Sequence, residues 1–233
     1  MTIHVAPDEA PGPSAVMHIP HSSRIVPDDV RRTFVLSDAA LEQELLRLTD
    51  LYTDELFSLD PLAAVSVMFG VSRFVVDPER FIDDALEPMA ARGMGAVYTA
   101  TTDGAPLRAS LNASQRAELL ARFYTPHHAA LEAATASVLD ATGQCLILDG
   151  HSFPTEPLPC DLNQDRPRPE ICIGTDPFHT PSALATEAAN GFAACGLDVA
   201  IDRPYSGALV PARWYRRDDR VSVTGPRSWV HLL

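Results

Sequence analysis

The chain has 233 residues, 46% of them hydrophobic and 21% charged, enough apolar material for a buried core and too much for wholesale disorder. Its formal net charge of −13 argues against nucleic acid as a partner, because that affinity comes largely from Lys and Arg neutralising phosphates. All 18 basic residues are Arg, which excludes a Schiff-base lysine and a P-loop lysine.

Residues 1–14 are Pro-rich and polar and read as a loose tail, without the basic and apolar regions of a secretory signal. AVMHIP then gives a short buried strand stopped by Pro20. A long amphipathic helix is expected from Ser37 or Asp38, with Leu41, Leu45, Leu48, Tyr52, Leu56 and Leu59 at three- and four-residue steps and Pro61 as its limit. AAVSVMFG and RFVVD read as two strands separated by Gly70. Residues 83–112 are irregular, and a second helical pattern runs from Ser114 towards Leu139, to be kinked or split by Pro126 and capped by Gly143. CLILD, ICIG and LDVAI read as strands, with a helix over 182–194 ended by Gly196. Strands alternating with helices predict an α/β sheet with helices on both faces, in one domain over 15–233. Cys145, Cys160, Cys172 and Cys195 form no C-x-x-C pair, and no apolar run approaches the roughly 20 residues of a membrane helix. A reduced, cytoplasmic protein that is not in a membrane is the expectation.

His21 follows the first strand and His151 follows CLILD. In open α/β sheets sites form at the carboxyl ends of strands, and neutral imidazole is a good zinc ligand. The competing reading is that each ring only bonds a nearby carbonyl. Asp50 and Asp54, one helical turn apart, could serve a metal or act as acid and base, or simply form a solvated helix face. Arg73, Asp77 and Arg80 bracket RFVVD; an Arg there could grip a carboxylate or pair with Asp77. Of His127 and His128, adjacent on a helix, one should be packed and the other exposed. There is no G-x-S-x-G, H-E-x-x-H or G-x-G-x-x-G.

The order of PHSS (20–23), LTDLYTDEL (48–56), SRFVVDPER (72–80), TTDGAPL (101–107), YTPHHAAL (124–131), DGHS (149–152) and DVAIDRPYSG (198–207) resembles the N-formylglutamate amidohydrolase family. The resemblance implies a three-layer α/β/α fold with a mixed sheet, phosphorylase/hydrolase-like and related to the zinc carboxypeptidases. It implies hydrolysis of N-formyl-L-glutamate to formate and glutamate, as in histidine degradation. One Zn²⁺ per chain would be held by His21, Asp50 and His151. The substrate, a small acidic N-acyl amino acid, would meet Arg73, Arg80, Arg203 and Tyr205. Two departures stand out. Glu79 occupies a position where the family usually has Asn. After Asp219 the chain reads RVSVTGPRSWVHLL, an atypical C-terminus with no acidic residue where a Glu-bearing strand is expected. Asp54, Asp149 and Glu170 are then the candidate general bases. The alternatives are a family member that binds an acidic metabolite without turning it over, and a related zinc deacylase or exopeptidase.

Overall fold

The structure, a computed structural model, describes residues 12–230, so the expected tail before residue 12 lies outside it. Strand β1 (Ala15–Ile19) is buried along its whole length and pairs in parallel with β2 (Ala64–Met68) and β3 (Cys145–Asp149). A strand covered on both faces reads as a continuous apolar run, which is why AVMHI was legible. Beyond β3 the sheet continues through β7 (Val221–Val230), β5 (Ile171–Gly174) and β6 (Val199–Ile201), giving the order β2-β1-β3-β7-β5-β6, with β4 (His151–Pro154) also on β7. β5 runs antiparallel to β7, so the sheet is mixed, as expected of the fold class.

The central strand β7 occupies the segment where the resemblance implies a closing strand, and it runs through Gly225-Pro226. Its ladder passes from β3, ending at Leu148↔Thr224, to β4, beginning at His151↔Arg227. Pro226, which has no N–H to give a ladder, falls between the two.

Helix α1 (Asp28–Arg31) is followed by α2 (Asp38–Leu48), capped by the Ser37 hydroxyl, which accepts from Ala40 N at 3.3 Å. The expected continuation to Leu59 is not observed. The chain breaks at Thr49–Tyr52, with Tyr52 left-handed at φ 63°, and resumes as α3 (Thr53–Leu56). A tertiary bond and a local one hold the break: Asp50 N donates to His21 O at 3.1 Å, and the Thr53 hydroxyl, three residues on, donates to Asp50 O at 2.8 Å. Tyr52, Leu56 and Leu59, which completed the apolar stripe, are exposed.

RFVVD is likewise not a strand. It is a buried turn, with Val75 N donating to Ser72 O, packed with Tyr98 and Leu107 in the largest core cluster. The carbonyls of Phe74 and Val75 are taken by the buried Arg108 guanidinium, which replaces a strand partner.

The second long helical region holds α4 (Ala113–Leu119), a π-helical turn (Leu120–Tyr124) and α5 (Thr125–Thr142). Pro126 sits in the first turn of α5, so the wider turn before it absorbs the missing N–H without breaking the rod. α5 packs on β1, β2 and β3, and α6 (Ser182–Ala194) on β5 and β6. Among the described residues no helix is long and apolar enough to cross a membrane.

A Cβ added at Gly174 would collide with the backbone carbonyl of Gly207. Gly174→Ala should therefore cost about 1–3 kcal/mol, as overpacking does. A urea midpoint equal to wild type would show that the 205–209 segment yields freely.

Candidate functional site

Because β1 and β3 are parallel neighbours, their carboxyl ends lie side by side. His21 leaves one end and His151 follows the other, with ring centroids 5.3 Å apart. Each ring is backed by a carboxylate. His21 Nε2 donates to Asp77 Oδ1 at 3.0 Å, and His151 Nδ1 donates to Asp50 Oδ2 at 2.9 Å. In the neutral rings these bonds place the protons on the outer nitrogens and leave lone pairs on the inner ones.

The inner nitrogens, His21 Nδ1 and His151 Nε2, are buried and have no hydrogen-bond partner. Both face Glu79, at 3.6 Å from Oε2 and 3.3 Å from Oε1 respectively, without hydrogen-bond alignment. Two orphaned imidazole nitrogens and a carboxylate converging on one point form a donor set that fits a divalent cation.

The surrounding charges favour the same conclusion. Burial alone would raise Asp77, but Arg73 and His21 hold its carboxyl well below the ordinary range. Asp50 is lowered too, since His151, His21 and Arg73 outweigh its burial. Burial disfavours a charged His151, yet Glu79, Asp149 and Asp50 raise its pKa well above the ordinary value. The pocket thus prefers a positive charge at the point where the imidazoles meet.

Behind this point lies a buried chain in which His18, a residue the sequence did not single out, joins Asp149 to His127. His18, from within β1, donates through Nδ1 to Asp149 Oδ1 at 2.7 Å. Its Nε2 lies 2.9 Å from His127 Nε2, which in this tautomer is the donor. Asp149 Oδ2 accepts from Leu209 N at 2.9 Å, and Oδ1 is 3.5 Å from His151 Nε2. The available signal was a histidine in the middle of an otherwise apolar strand.

The remaining candidates fall as follows. Asp50 stands behind His151, and the inner position expected of it is taken by Glu79. Asp54 is exposed on α3 and shares no helix with Asp50. Glu170 accepts from Asp198 N at 2.8 Å and is outside the convergent group. Arg73 is committed inward, with bonds to Asp77, Asp50 and the Tyr98 hydroxyl, rather than open to a ligand. Arg80 keeps 27% of its side chain exposed and lies 3.5 Å from Asp77. Arg203 is exposed, and the Tyr205 hydroxyl is engaged with Arg168 and Asp161 at 3.0 and 3.2 Å.

Fold and site together define an α/β protein with a cation-attracting polar centre at the carboxyl edge of its sheet. Over residues 14–224 the chain matches the family model of N-formylglutamate amidohydrolase, and it belongs to that family of amide hydrolases. It is similar to the crystal structure of N-formylglutamate amidohydrolase from Ralstonia eutropha, with TM-score 0.81 and 22% identity over 95% of this chain and 83% of that one. It is also similar to a gene product of Agrobacterium tumefaciens, with TM-score 0.71 and 20% identity over 93% and 81% of the two chains. At these identities both likenesses show the fold. No curated protein matches the chain significantly.

The buried chain gives a pH signature. Burial, then His18 and His128, push His127 from 6.5 down to about 3. The unfolded chain takes up that proton near pH 6.5 and the folded chain only near 3, so this stability is present above 6.5 and lost as pH falls. Between pH 6 and 4 His127→Gln should flatten the decline in unfolding free energy by up to about 1.4 kcal/mol per pH unit. Parallel curves for the two proteins would show that His127 does not titrate there.

Proposed function

We propose that the protein hydrolyses the linear amide of N-formyl-L-glutamate, or of a closely similar acidic N-acyl amino acid, with one zinc ion per chain. His21 Nδ1, His151 Nε2 and the Glu79 carboxylate are the residues that would hold the ion. The observation that carries this reading is the pair of buried, partnerless imidazole nitrogens aimed at Glu79. Two imidazoles and one carboxylate are a common catalytic zinc set, which leaves a position open. When bound, the ion supplies Lewis acidity, polarising a carbonyl and acidifying water towards a pKa of about 7.

The chain's own residues do the rest. Asp50 and Asp77 fix the tautomers of His151 and His21. Of the three candidate bases only Asp149 lies beside the convergent nitrogens. Its Oδ1 takes the proton of the attacking water and returns it to the leaving amine, while His18 and His127 support the carboxylate from behind. Arg80, partly exposed at the rim, meets a substrate carboxylate, and Arg73 holds the Asp50–Asp77 pair apart from it.

One observation favours a second reading. β7 pairs with both β3 and β4 yet has no carboxylate along Val221–Val230. A member lacking its usual base would bind the acidic metabolite without rapid turnover. Zinc analysis and formate release on the same preparation separate the two.

Wild type should carry one zinc per chain and His151→Ala none; carefully prepared wild type free of metal would refute the metal reading. Asp149→Asn should retain zinc and lose about 10²–10⁴-fold in kcat, the usual worth of acid–base help. Slow turnover that Asp149→Asn leaves unchanged would support the binding-protein reading. Arg80→Ala should raise KM for N-formylglutamate about thirtyfold, equivalent to the roughly 2 kcal/mol of a charge-assisted contact, with little effect on a neutral formyl amino acid. Equal effects on both would assign Arg80 to structure.

A further inference from the structure

Glu79 sits in a loop, where no strand ladder fixes its backbone, yet the peptide units around it are held at three points. Its own N–H donates to Asp77 Oδ1 at 3.0 Å. The carbonyl before it, Pro78 O, accepts from His128 Nε2 at 2.7 Å. The carbonyl of the residue after it, Arg80 O, accepts from the Tyr124 hydroxyl at 3.1 Å.

The two ring donors come from one place in the fold. Tyr124 closes the π-helical turn and His128 lies in the first turns of α5. Residues four apart share a helix face, and here the rings stack at 4.0 Å between centroids with planes 22° apart. Stacking restricts the rotamer freedom of both side chains and so keeps their donors aimed at the loop. Burial lowers the His128 pKa, which keeps the ring neutral with one proton to place, and the Pro78 carbonyl takes it on Nε2. His127, the adjacent residue, turns the other way to His18.

We propose that Tyr124 and His128 are positioning residues: a stacked two-ring clamp that fixes the peptide unit before Glu79 and the one after Arg80, and so sets the Glu79 carboxylate against His21 Nδ1 and His151 Nε2. The inference rests on the reading of Glu79 as a metal ligand. The π turn then has a purpose beyond accommodating Pro126, since it brings a hydroxyl and an imidazole to the loop opposite β1.

The test is a calorimetric zinc titration of the full chain and its variants, with the melting temperature of each metal-free protein as a folding control. Tyr124→Phe keeps the stack and removes one donor; His128→Leu removes the other, and His128→Gln keeps an amide donor. Tyr124→Phe and His128→Leu should each weaken zinc about tenfold, as loss of groups supporting a ligand does. His128→Gln should lose less. In a Glu79→Gln background Tyr124→Phe should cost nothing further, because the clamp acts only through that carboxylate. A merely structural pair would lower melting temperatures while leaving zinc affinity alone, or would weaken zinc equally with and without Glu79. Either result overturns the clamp and leaves Glu79 as a ligand. Should His128→Leu fail to fold, Tyr124→Phe decides alone. A wild type that takes up no zinc, or a Glu79→Gln protein that binds as tightly as wild type, overturns the ligand reading and the clamp with it.

Discussion

The structure around the site depends on the burial of the Asp77 carboxylate. Taking an ionised carboxylate out of water carries a penalty of several kcal/mol that only direct partners can offset. Asp77 is fully buried and has those partners: the Arg73 guanidinium at 2.8 Å, the Tyr98 hydroxyl at 2.6 Å, His21 at 3.0 Å and the Glu79 N–H at 3.0 Å. Each of these bonds fixes something functional: Arg73 carries the charge balance to Asp50, His21 gains its tautomer, and Glu79 gains its place. Tyr98, pushed well up by burial, stays a neutral donor at any working pH.

The irregular segments do the positioning. Thr49–Tyr52, Ser72–Arg80 and the π turn at Leu120–Tyr124 each depart from regular structure where a side chain or peptide must reach the strand ends. Such departures leave backbone groups without partners unless the tertiary structure provides them. Here it does, through the His21 carbonyl, the Arg108 guanidinium and the Tyr124–His128 pair. Regular strands deliver His21 and His151 to the site, and irregular loops deliver their carboxylate partners Asp50 and Asp77, with Glu79.

Electrostatics divides the site in two. Asp50, Asp77, Glu79 and Asp149 outnumber the nearby guanidiniums, so the interior attracts a cation. Arg80 keeps part of its side chain in solvent and so presents a positive charge beside Asp77 despite the net charge of −13 of the whole chain. A local cluster governs the field within a cleft more than distant surface charge does, because solvent and salt screen the latter.

By itself the sequence determined what local pattern can determine. A continuous apolar run identified β1 and β3, three- and four-residue spacing identified α2, α5 and α6, and motif order identified the family. It also placed His21 and His151, since a polar residue just after a buried strand must lie at its end. Tertiary structure alone decided the rest. It broke α2 at Asp50, because the hydrogen bond from Asp50 N to His21 O outweighs helix periodicity, and it made RFVVD a turn, because Arg108 could stand in for a strand partner. It made a central strand of a segment containing Gly-Pro, because the neighbouring ladder changes strands there. It brought Glu79 to 3.6 and 3.3 Å from His21 Nδ1 and His151 Nε2, with Asp50 at 3.9 Å from His21 Nδ1 and hydrogen-bonded to the outer nitrogen of His151. Periodicity reports which face of an element is apolar; which of several carboxylates reaches a given nitrogen depends on contacts between residues far apart in the chain, and those exist only once it has folded.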